Sequence, residues 1–167
     1  MPSEQDSDEE KEAVMATGKR GKNKKATDKE RELYHLWGSA ASAVTVGLER
    51  ALNEYELTLS QFLVLDFIEQ RGETHQLVLA ELLNQTPGNI TMVMKNLDRA
   101  NLVKRQKSKH DRRFRRVTLT PRGRKKLEEA RPVFAQIVKK IFGSLGAADL
   151  SRLVKSLEKI STTARNL

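Results

Sequence analysis

The sequence predicts a mainly α-helical chain with one small β-hairpin, on three observations. Apolar residues recur at helical spacing along much of residues 31–165. The stretch Val117-Thr118-Leu119 alternates like a strand, and a run of charge separates it from Leu102 and Val103. Three junctions begin with threonine: Thr58, Thr86-Pro87 and Thr120-Pro121. Each offers an oxygen to cap a first helical turn, and two add a proline whose missing N–H costs nothing there.

Taken in order, residues 1–30 lack aromatics, have Val14 and two methionines as their only sizeable apolar side chains, and change from DSDEE to KRGKNKK. They are expected to be a disordered, charged tail, with Lys19–Lys25 solvated rather than tracking DNA. From Arg31 to Tyr55 the positions Leu33, Leu36, Trp37, Ala40, Val44, Leu48, Leu52 and Tyr55 form one apolar stripe. That is a helix of about 25 residues and roughly 37 Å, long enough to outrun its own domain and pack on a partner.

Thr58 with Gln61 three residues on is a capping box, and Leu57 can staple onto Phe62. The helix it opens ends near Arg71-Gly72. Glu73–His75 is expected to add a short strand, and a helix follows from about Gln76 to Leu83. After the turn Asn84-Gln85, Thr86 and Pro87 start another helix, whose Ile90, Val93, Met94 and Leu97 face inward. Two short helices joined by so tight a turn make a helix-turn-helix, whose second helix enters the major groove. The hairpin then forms a wing. Pro121 opens a long helix, which Pro132 is expected to kink, and a last amphipathic helix runs from about Ala147 to Arg165.

The 167 residues suffice for one domain with a proper core. Without cysteine the chain has no disulfide, thiolate metal site or thiol redox switch. No apolar run approaches the roughly 18 residues a membrane span requires, and the N-terminus is acidic rather than a signal peptide, so the expected location is the cytoplasm. The net charge of +9 is concentrated: residues 104–126 hold twelve Lys or Arg against Asp111 alone. Such clustering is the footprint of a polyanion site.

These elements in this order, with Leu57-Thr58-Leu59-Ser60-Gln61-Phe62, the pair Asp111 and Arg113, and Leu119-Thr120-Pro121-Arg122-Gly123, resemble the MarR family of winged helix-turn-helix transcriptional regulators. The resemblance covers residues 31–165. It implies a bacterial homodimer in which 57–120 form a winged-helix DNA-binding lobe and the terminal segments 31–56 and 121–167 are the dimerisation helices, making 31–167 a single domain. It also implies a small-molecule effector held between the dimer helices and the DNA-binding lobe. Tyr34, His35, Trp37, Phe62 and Arg71 lie near that junction, but aromatic stripes are more often core, so no ligand residues are assigned.

On the reading helix, Gly88 allows close approach to the sugar-phosphate, and the first-turn N–H groups near Gly88 and Asn89 suit a phosphate. Asn89, Thr91, Lys95 and Asn96 are candidates for base edges, Met92 for a base or a gap, and Arg99 for a phosphate. On the wing, Lys107, Lys109, His110, Arg112, Arg113 and Arg115 are the DNA-binding candidates, since Asp111 is the single acid among them. By resemblance, Asp111 positions Arg113, whose planar and weakly hydrated guanidinium suits a narrow A·T minor groove.

Two other classes compete. An enzyme is disfavoured because His35, His75 and His110 lie on different elements, with no partner at catalytic spacing and no metal-ligand or phosphate-loop motif. No catalytic residue, metal or cofactor is expected. An architectural winged-helix protein with little sequence choice and no effector fits the cationic wing equally well; Asn89, Thr91 and Asn96 favour sequence reading. A regulator acting as a homodimer on a pseudo-palindromic double-stranded operator is the reading adopted, with no role at a membrane.

Overall fold

The computed structural model describes residues 4–72, 74–83, 85–107 and 115–167, with the backbone alone at 4–26, 75, 77, 107, 115 and 116. The elements are α1 (Glu4–Asn53), α2 (Leu59–Arg71), β1 (Thr74–His75), α3 (Gln76–Leu82), α4 (Pro87–Arg99), β2 (Val103–Lys107), β3 (Arg115–Leu119), α5 (Pro121–Phe142) and α6 (Ala147–Arg165). The chain divides into two compact units, 1–44 and 45–167.

In the first unit α1 starts at Glu4, not near Arg31. Much of the segment 1–30, expected to be a disordered tail, is thus part of α1. The segment lacks an apolar stripe, but Glu, Lys, Ala and Gln are strong helix formers, and they carry the helix through Gly18 and Gly21. Every residue from 27 to 43 is exposed, including Leu33, Tyr34, Leu36 and Trp37. The apolar stripe here is present in the helix and uncovered.

The second unit holds the core. The last turns of α1 contribute Leu48 and Leu52, and Phe62, Val64, Leu65 and Ile68 come from α2. Leu79 and Ala80 of α3 and the inward row of α4 join Leu102, Val103 and Val117 from the hairpin and Leu127 and Ala130 from α5. Phe62 stacks on Phe134 with ring centroids 4.5 Å apart.

The helix starts form as the threonines predict. Thr58 Oγ1 accepts from the Gln61 N–H at 3.2 Å, while Gln61 Oε1 accepts from the Thr58 N–H at 2.9 Å. Thr86 Oγ1 accepts from the Asn89 N–H at 3.2 Å, and Thr120 Oγ1 from the Gly123 N–H at 3.0 Å. Thr120 also donates to the Asn101 carbonyl at 2.7 Å, tying the start of α5 to the turn before the hairpin. Gly123 makes that packing possible, because a Cβ there would lie 1.9 Å from the Leu102 carbonyl oxygen.

The three strands order as β1-β3-β2, all antiparallel, with Thr74 opposite Val117 and Val103 opposite Leu119. α5 is clamped to α2 by Arg131 Nε donating to Asp66 Oδ1 at 2.8 Å and by Arg124 Nε at 3.1 Å from Glu69 Oε1. It runs unbroken past Pro132. Pro132 and Glu128 are both exposed, so the Glu128 carbonyl that proline leaves unpaired faces water. α6 closes the chain with none of its residues buried.

Candidate nucleic-acid interface

α4 presents two faces set by its 3.6-residue period. Ile90, Val93, Met94 and Leu97 occupy one side and are buried. Gly88, Asn89, Thr91, Met92, Lys95, Asn96 and Arg99, the seven positions expected to read DNA, are all exposed. At about 100° per residue, Gly88, Met92, Lys95 and Arg99 form the centre of that outer face. Asn96 lies beside Asn89 on one flank, and Thr91 lies on the other.

Asn89 and Thr91 are each held from outside the helix. Asn89 Nδ2 donates to Gln85 Oε1, and Gln85 Nε2 donates in turn to Ser60 Oγ of α2 at 3.2 Å. Thr91 Oγ1 accepts from Gln76 Nε2 at 2.7 Å and donates to the Pro87 carbonyl at 2.7 Å. Gln76 and Gln85 were absent from the sequence-based site. Gln85 had a detectable signal, standing four residues before Asn89, a spacing at which amide side chains pair. Gln76 and Thr91 are fifteen residues apart and meet only in the fold.

The N-terminus of α4 differs from expectation in one respect. The Asn89 N–H is taken by the Thr86 cap, so it is not free for a phosphate. Gly88 is unexplained by internal packing, since a Cβ there would meet nothing described within 4 Å.

On the hairpin, Lys104 and Gln106 are exposed. Arg105 is half-buried with its Nε 3.8 Å from Asp98 Oδ2 of α4. Its Nε and Nη2 find no hydrogen-bond acceptor among the described residues. Lys107 and Arg115 pair as backbone partners at the distal end of the described ladder. Lys109, His110, Asp111, Arg112 and Arg113 lie outside the described residues.

The cationic run is therefore not uniform. Asp111 is not the only acid available to residues 104–126, because the fold brings carboxylates from other elements. Arg105 faces Asp98, Arg124 faces Glu69, and Lys126 Nζ donates to Glu56 Oε2 at 2.5 Å; within α5 itself, Lys125 sits 3.9 Å from Glu129. The Lys126 hydrogen bond and charge hold the exposed Glu56 carboxyl below its ordinary value. Arg124 and Lys126 at the start of α5 are thus used to fasten that helix.

His35 meets the edge of Tyr34 at 5.7 Å between ring centroids. Among the described residues no cluster of His, Asp or Glu could hold a metal ion. No described helix is long and apolar enough to cross a membrane.

Comparison with known proteins agrees with this geometry. The MarR family model matches residues 57–114. The uncharacterized HTH-type transcriptional regulator YhbI of Bacillus subtilis (strain 168) is 30% identical over 117 residues, covering 68% of this chain and 76% of that protein. Bordetella bronchiseptica BpsR, solved to explain regulation of its DNA binding by 6-hydroxynicotinic acid, aligns at a TM-score of 0.71 and 28% identity, over 78% of this chain and 98% of its own. A mutant of E. coli MarR complexed with operator DNA aligns at a TM-score of 0.72 and 23% identity, over 77% and 92% of the two chains.

Proposed function

Since this chain belongs to the MarR family of winged helix-turn-helix transcriptional regulators, we propose that it reads a pseudo-palindromic site on double-stranded DNA as a homodimer. One observation carries the reading. The apolar row of α4 is entirely in the core, which leaves nine exposed positions: Pro87, Asp98 and the seven expected to read DNA, which are polar and cationic in the main.

In this reading residues 57–120 form the DNA-binding lobe. Asn89, Thr91, Lys95 and Asn96 meet base edges, while Gly88 and Arg99 meet phosphates, with Met92 between them. Lys107, Lys109, His110, Arg112, Arg113 and Arg115 carry the wing to the neighbouring groove, with Asp111 orienting Arg113. The exposed apolar stripes of 31–56 and 121–167, Leu33, Leu36 and Trp37 on one and Leu153, Leu157 and Ile160 on the other, supply the dimer contact. Two reading helices about one DNA turn apart, roughly 34 Å, then address successive major grooves. BpsR, whose DNA binding responds to a small aromatic acid, supports a small-molecule effector here as well. A ligand that prefers another spacing of the reading helices weakens DNA binding by its differential affinity.

Selection of bound sequences from a random duplex pool, followed by titration at several salt concentrations, tests the reading. An enriched inverted repeat is expected, with affinity falling by about 0.9 log units per neutralised phosphate per log unit of salt. Enrichment of no sequence, or less than tens-fold discrimination against bulk DNA, would favour an architectural binder instead.

A further inference from the structure

We propose that Gln85, outside the reading helix, is a positioning residue that fixes Asn89 for recognition of an adenine in each half-site. The inference rests on the DNA-reading function proposed above and deepens it. A free asparagine on an exposed helix rotates broadly about its terminal torsion and presents donor and acceptor in either order. Here Asn89 is held by Gln85, and Gln85 is itself held at both ends. Its side-chain Nε2 donates to Ser60 Oγ, and its backbone N–H donates to the Ala80 carbonyl at 2.9 Å. The brace thus runs from the first turn of α2, through the turn after α3, to the edge of the reading face.

The hydrogen-bond inventory of Asn89 then decides what it can read. A carboxamide has two N–H donors and two acceptor positions, and Gln85 takes one of them. Whichever way the Gln85 amide is turned, Asn89 keeps at least one donor and one acceptor, the pair that adenine N7 and N6 require. Thr91 on the opposite flank makes a useful contrast. Its hydroxyl hydrogen already goes to the Pro87 carbonyl of its own helix, so Gln76 adds a contact to a side chain that is fixed without it.

The test uses the full-length chain and the duplex enriched by selection. Wild type should prefer adenine at one position of each half-site, and 7-deazaadenine there should weaken binding several-fold, because N7 is the atom removed. In Gln85→Leu the preference should fall by about tenfold, and the 7-deaza penalty should vanish while binding to other positions keeps its pattern. Gln85→Glu, which still accepts from Asn89 and from the Ser60 hydroxyl, should bind more weakly to every sequence through charge repulsion and yet retain the adenine preference. Gln76→Ala should leave that preference unchanged. Adenine preference and the 7-deaza penalty surviving in Gln85→Leu would overturn the brace and leave the DNA-reading function standing. Absence of any base preference in wild type would overturn both.

Discussion

α4 and α6 share an amphipathic pattern and meet opposite fates. α4 has Ile90, Val93, Met94 and Leu97 in the core, so what it offers outward is amide, hydroxyl and charge. α6 keeps Leu150, Leu153, Val154, Leu157 and Ile160 between 37% and 47% exposed, so what it offers is apolar surface. A periodic sequence defines two faces of a helix; which of them is left for a partner depends on the space around it. In the function proposed above the two helices take different partners, a polyanion for α4 and a second copy for α6.

The contrast can be broken first at the buried row. Leu97→Ala should lower stability by about 2–5 kcal/mol through lost burial and a cavity, and urea denaturation should give the same loss at every protein concentration. Leu157→Glu should act on assembly instead, raising the dimer dissociation constant by at least ~30-fold, about 2 kcal/mol. Sedimentation equilibrium reads this directly, and a wild type that is monomeric throughout would erase the assigned role of α6. On the outer face of α4, Gly88→Ala should leave stability unchanged or raise it by up to ~1 kcal/mol. It should weaken DNA binding by about 1–3 kcal/mol by holding the backbone N–H away from phosphate; unaltered affinity in a fluorescence titration would place the phosphate elsewhere.

The smallest effect concerns the frame behind α4. Lys126 keeps the Glu56 carboxyl ionised to a lower pH than its ordinary value of 4.5. Its contribution to stability is therefore full above that value and disappears as pH falls through the lowered one. Glu56→Gln should be slightly less stable than wild type at neutral pH, with the gap closing on acidification. A gap that stays constant across an acid series of denaturation midpoints would assign the loss to something other than this ion pair.

Much of the architecture was legible because its signals are local. Thr58 with Gln61, Thr86 with Pro87 and Thr120 with Pro121 each place a helix start within a single turn of chain, and every one forms as expected. The inward row of α4 and the alternation at Val117 follow from periods of 3.6 and 2, which need no knowledge of the rest of the fold. The extent of α1 was harder to read, since helix formers without an apolar face give composition and no pattern. The braces on Asn89 and Thr91 were harder still. Gln76 carries no mark that distinguishes it from any other exposed amide, and only the crossing of α3 and α4 brings it to Thr91.

From residue 31 on, residue order alone was sufficient for element type, the caps and the concentration of positive charge near the hairpin, because each arises among near neighbours along the chain. Folding decided how that charge divides. Glu56, Glu69 and Asp98 come from other elements to neutralise Lys126, Arg124 and Arg105, and a carboxylate acts only on the cation it lies beside. It also decided which apolar stripes found cover, since burial requires an opposing surface and no single helix contains its own.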